Sequence, residues 1–142
     1  MSGDYFGYEG EIFNIPPIKL CPTPSQTVPI IIGGHSEAAL KRAASAGDGW
    51  VCAGAPIEQI DSMIRRINQL RSEYGRDKLD FEFHTNSEHA FSTDGIKRLE
   101  DIGVTDLTVA YRNIYESQPD TQSVAEKSAA LDWYAEKVIA KL

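Results

Sequence analysis

The chain of 142 residues is poor in several features that would define a function class at once. It has two cysteines, Cys21 and Cys52, with no CxxC and no metal-ligand spacing. One falls in a proline-rich connection and the other in an apolar run, so neither a disulfide framework nor a metal cluster is indicated. No apolar run reaches membrane length and no signal peptide is recognisable, which makes a cytoplasmic protein with no membrane contact the expectation. Basic stripes are lacking too. The formal charge is -7, and Arg65-Arg66 and Arg71 to Arg76 read as the solvated side and end of a helix, so nucleic-acid binding is not expected. No period of 20–50 residues repeats, which excludes a solenoid. No nucleophile–base pair stands at a recognisable spacing.

What is present is a βα rhythm, centred on Pro29-Ile-Ile-Ile-Gly33-Gly34-His35-Ser36 and continuing to Asp48-Gly49-Trp50-Val51-Cys52. Val28 to Ile32 is a continuous apolar run, as a strand covered on both faces requires. Two glycines let the backbone approach another group closely, and Ser36 suits a helix N-cap. A helix N-terminus opening from a glycine turn suits an anion such as phosphate, although the same residues serve an ordinary turn and cap. Small residues from Ser36 to Ala46 then predict a helix packed closely on a sheet, followed by a strand from Trp50 to Ala53.

Residues 1–28 form an irregular aromatic and proline-rich lead-in, and 29–142 the regular domain. Tyr5, Phe6, Tyr8, Ile12, Phe13 and Ile15 suit either a hairpin around Gly10 or a segment lying on a neighbouring surface. Beyond Pro56, Ile57, Ile60, Ile64, Ile67 and Leu70 recur at helical spacing, and Gly75 ends that helix. Asp80 to Thr85 predict a strand with Phe81 and Phe83 toward the helices and Glu82 and His84 on the opposite face. A helix from Thr93 or Asp94 buries Ile96, Leu99 and Ile102, and Gly103 closes it. Val104 to Ala110 form the fourth strand, and 111–120 a polar loop. A last helix, about Thr121 to Lys141, is expected to bury Val124, Ser128, Leu131, Ala135, Val138 and Leu142. The fold class is therefore α/β with four consecutive βα units. They suit a small open parallel sheet with helices on both faces, or half of an eight-stranded barrel of about 250 residues.

Pro22-x-Pro24-x-Gln26, Pro29-Ile-Ile-Ile-Gly33-Gly34-x-Ser36 and Arg42-Ala-Ala-x-x-Gly47-Asp48-Gly49-Trp50 together resemble the C-terminal half of the luciferase-like monooxygenase family. Members that use the deazaflavin F420 are the most similar. The likeness extends through Leu70-Arg71, Gly75-Arg76, Ile102-Gly103-Val104 and the terminal helix, and back to Phe6-Gly7-Tyr8-Glu9-Gly10-Glu11-Ile12-Phe13. The resemblance implies strands five to eight of a (β/α)8 barrel. It implies F420, or alternatively FMN, at the C-terminal strand ends, and hydride transfer with a small-molecule substrate. It places the cofactor phosphate at Gly33, Gly34, His35 and Ser36, with Cys52 and Ala53 beside it. Ala53 stands where some relatives carry a hydroxyl. The missing half implies self-association into a homodimer that closes two half-barrels, with a separate N-terminal half as the alternative; a non-catalytic remnant of the family is the competing expectation.

Among single residues, Arg112 lies where α/β sites gather and suits an anionic cofactor tail or substrate, or a surface ion pair. Glu82 and His84 suit an acid–base pair, or a structural or interface role. His89 has no evident partner, Trp50 reads as core, and Asp48 as a turn-former that accepts backbone N–H groups.

Overall fold

The computed structural model describes residues 3–112 and 119–142. The first 28 residues contain a two-stranded antiparallel hairpin, β1 (Phe6–Glu9) and β2 (Asn14–Ile18), closed by the Gly10 amide on the Phe13 carbonyl at 2.9 Å. Its apolar side chains, Tyr8, Ile12 and Phe13 among them, stay exposed, so the hairpin has no core of its own.

The regular domain is a parallel sheet of β3 (Ile31–Gly33), β4 (Gly49–Cys52), β5 (Glu82–Thr85) and β6 (Asp106–Leu107), in sequential spatial order. Crossovers run through α1 (Glu37–Ala46), α2 (Ile57–Glu73) and α3 (Thr93–Asp101). A doubly wound sheet reverses its strand order to place helices on both faces. Here the order never reverses. Leu40, Ala43 and Ala44 of α1, the isoleucines of α2 and Leu99 of α3 all join one cluster with Trp50, Cys52 and Phe83. The helices therefore cover one face, as in a barrel segment, and the open sheet with two covered faces is not formed.

The stripe along α2 is buried as its spacing predicts, from Ile57 to Leu70. Each such side chain contributes on the order of 1.5–3 kcal/mol by leaving water. Gly75, at φ +67°, takes the left-handed conformation that stops the helix. Arg71 departs from the sequence expectation. It is buried at 7% exposure, its guanidinium carbon 4.5 Å from the Phe81 ring centroid, and it donates to the carbonyls of Arg76 and Leu79. A fork of donors on an apolar stem can satisfy a tight connection that a hydrophobic residue cannot. Arg76 likewise donates to the Gly47 carbonyl at 2.8 Å. Asp48 accepts from the Ile30 amide at 2.9 Å, holding the start of β3.

Three other boundaries shift. The first strand of the sheet covers Ile31–Gly33 rather than Val28 to Ile32, and Val28 and Ile30 are exposed. Only Asp106 and Leu107 of the expected fourth strand pair with β5. The last helix, α4, runs Val124–Lys137 behind a Ser123–Glu126 capping box, with a 3-10 turn over Ile139–Lys141. Of its expected buried stripe only Val138 is buried; Val124, Leu131 and Leu142 are exposed. The stripe is legible, but among the described residues nothing covers it. Among the described residues no helix is long and apolar enough to cross a membrane.

Candidate functional site at the C-terminal strand ends

Register determines which side chains share the face away from the helices. Val51 pairs with His84 and His84 with Asp106, so these three form one layer. The ladder continues through the Asn86 amide on the Cys52 carbonyl and the Thr108 amide on the Thr85 carbonyl. Ala53, Asn86 and Thr108 thus form the next layer toward the C-terminal ends. They line a cleft of about 730 Å³ together with Phe91, Tyr111 and Arg112.

One wall of that cleft is aromatic. Phe91, Tyr111 and Tyr134 stand mutually edge-on with ring centroids 5.8–6.3 Å apart. The Tyr134 hydroxyl donates to the Ala90 carbonyl at 2.9 Å, which ties α4 to the cleft wall. Tyr134 lies outside the apolar stripe that helical period marks on α4, and its ring partners come from two other segments.

The glycine turn lies beside this cleft rather than in its lining. Ser36 is the N-cap of α1 and its Oγ accepts from the Ala39 amide at 3.3 Å. Gly34 has φ +120°, and a Cβ there would stand 2.8 Å from that of Ala39. The Trp50 indole donates to the Gly34 carbonyl at 2.8 Å. Trp50 is fully buried, as a core residue should be, and it also fixes the turn. Backbone amides in the first helical turn lack intrahelical partners and face outward, so an anionic group fits here. Glu37, in that same turn, pairs with Arg66 of α2 and Lys41, and the Arg66 hydrogen bond holds its carboxyl below the usual range. Its negative charge is thereby compensated.

The seven residues expected at a cofactor thus fall into two groups. Gly33, Gly34, His35 and Ser36 make the turn, while Ala53 and Arg112 line the cleft with Cys52. Cys52 joins the groups, its Sγ lying 3.3 Å from His35 Nε2. Burial pushes the Cys52 thiol up from its ordinary value.

Below the cleft lies a polar trio. His84 Nε2 is 2.8 Å from Glu82 Oε2 and 3.6 Å from Asp106 Oδ2. Thr105 Oγ1 donates to Asp106 Oδ2 at 2.7 Å. Glu82 and His84 share the face expected from their spacing; Asp106 joins only through strand register. Their ligand atoms lie within 4.8 Å of one another, a donor set with the chemistry of a divalent-cation site, although Glu82 and His84 already satisfy each other. His89 is in the 3-10 turn Glu88–Phe91, its amide on Ser87 Oγ at 3.3 Å.

The luciferase-like monooxygenase family matches residues 1–135, nearly the whole chain. The chain belongs to that family. It is 46% identical over 141 residues to uncharacterized proteins of Mycobacterium tuberculosis and Mycobacterium bovis, covering 99% of this chain and 48% of each relative. A shorter likeness, 31% over 74 residues, joins it to the pyrimidine monooxygenase RutA of Allorhizobium ampelinum, covering 49% of this chain and 20% of that protein. The chain spans about half the length of these mycobacterial relatives. The four βα units are thus part of an α/β fold consistent with a partial barrel.

Proposed function

We propose that this chain is the phosphate-holding half of a cofactor-dependent oxidoreductase of the luciferase-like family, with F420 as its cofactor and FMN as the alternative. The carrying observation is the turn fixed by Trp50, where Gly34 at φ +120° opens directly onto the N-terminus of α1. Its amides hold the cofactor phosphate, and His35 adds a side-chain donor. The cleft next to it, walled by Phe91 and Tyr111 with Arg112 at its rim, takes a flat, partly anionic molecule. F420 would supply hydride transfer to or from a small organic substrate there, and FMN would add oxygen activation. The protein's own part is to bind, orient and exclude water, which explains why no nucleophile–base pair is needed.

The other half of the barrel comes from a second copy or from an N-terminal half. The trio of Glu82, His84 and Asp106 favours the second of these. Two copies would crowd four carboxylates into one lumen, at a high desolvation cost unless cations answered them. A non-catalytic family remnant is the competing reading, supported by Ala53, which offers no hydroxyl to a phosphate. Titration of the chain with F420 and with FMN, with light scattering for mass, tests these readings. Saturable binding of either supports the cofactor site. No binding by the chain, alone or completed by the N-terminal half of a mycobacterial relative, leaves the remnant.

A further inference from the structure

The contact between Cys52 and His35 joins a fully buried thiol on the helix side of β4 to an exposed imidazole in the glycine turn. We propose that Cys52 is a positioning residue: its S–H donates to His35 Nε2 and holds the ring in the Nδ1–H tautomer, so that His35 meets an anion at the turn with its Nδ1–H as donor. The consequence for an anion rests on the phosphate site proposed above; the assignment of the tautomer does not.

A thiol donates a hydrogen bond only while it is protonated. Cys52 has no exposed surface, and burial disfavours its thiolate. At neutral pH the thiol therefore keeps a proton to donate, and the imidazole nitrogen 3.3 Å away is placed to accept it. A neutral imidazole that accepts at Nε2 carries its own proton on Nδ1. The surroundings keep this pairing in place. The Trp50 ring lies 6.4 Å from that of His35, and its indole N–H holds the Gly34 carbonyl one residue earlier. Because the side chain of Cys52 is turned into the core, it acts on the site through His35.

Nitrogen-15 NMR of the full chain reads the tautomer directly. At neutral pH the expected pattern is a pyridine-type Nε2 and a protonated Nδ1 for His35. Cys52→Ala, which removes the donor with little loss of volume, shifts His35 toward the Nε2–H form. Cys52→Ser restores the Nδ1–H form at least in part, because a hydroxyl also donates. Affinity for F420, FMN or inorganic phosphate falls roughly fivefold in Cys52→Ala and recovers in Cys52→Ser. An Nε2–H tautomer in the unaltered chain overturns the inference without any variant. So does a Cys52→Ala spectrum in which the tautomer is unchanged. If the tautomer behaves as stated while the unaltered chain, alone and completed by the N-terminal half of a mycobacterial relative, binds none of the three probes, the positioning role of Cys52 stands and the phosphate site falls.

Discussion

The indole of Trp50 and the carbonyl of Gly34 are joined by a 2.8 Å hydrogen bond that links the centre of the core to the turn before α1. The ring is fully buried, so its N–H has no access to water if that bond is lost. Trp50→Phe keeps most of the volume and removes the donor. It is expected to lower stability by about 1–3 kcal/mol, read from urea unfolding, and to weaken cofactor binding. A variant that unfolds normally and binds normally would separate the turn from its anchor.

Gly34 itself carries a second prediction. Its φ of +120° is hostile to any side chain, and a Cβ would meet that of Ala39 at 2.8 Å. Gly34→Ala should therefore cost about 1–3 kcal/mol in denaturation experiments. Gly75→Ala tests the specificity of this argument, since a Cβ there meets nothing within 4 Å and only the backbone strain remains. The Gly75 variant should lose less.

Arg71 holds the connection after α2 with a fork of hydrogen-bond donors, not apolar bulk. Arg71→Met is expected to destabilise the chain by about 1.5–3 kcal/mol through the two carbonyls it abandons. Arg71→Lys should recover little of this, because a single ammonium reproduces neither the fork nor the stacking on Phe81. Full rescue by lysine would show that charge alone matters there.

Two positions on the same apolar stripe of the C-terminal helix should answer mutation differently. Leu131→Ser, at a position 60% exposed, should leave the stability of the chain within about 0.5 kcal/mol. Val138→Ala should lose about 1–2 kcal/mol, since Val138 is buried. When a completing half is supplied, Leu131→Ser is expected to weaken that association, measured by light scattering.

Glu126 supplies a pH dependence. Its carboxyl sits below the usual range because the Ser123 side chain, and then the Ser123 amide, hydrogen-bond its charged form. A depressed folded pKa stabilises above the unfolded value, near 4.3, and that contribution disappears as pH falls through the lower folded value. The stability difference between the unaltered chain and Glu126→Gln should thus be present at neutral pH and vanish in acid. A difference that is constant down through that window would detach the capping box from the titration.

Much of the architecture follows from local pattern. The isoleucine stripe of α2, the Ser36 cap and the opposite faces of Phe83 and His84 are all readable, because helical and strand periods operate within a few residues. The βα alternation and the Gly33-Gly34 turn were legible for the same reason. Local pattern leaves open which face of the sheet the helices cover, whether Asp106 joins Glu82 and His84, and that Cys52 reaches His35. It also suggests a solvated Arg71 and a buried Leu131, and both are reversed. Amphipathic period shows that a face seeks a partner, while burial requires that the partner be present. Local pattern determined the order of units and the glycine turn before α1. Strand register and packing across β4, β5 and β6 decided which side chains meet, because those contacts join residues that lie 17 to 33 positions apart in the chain.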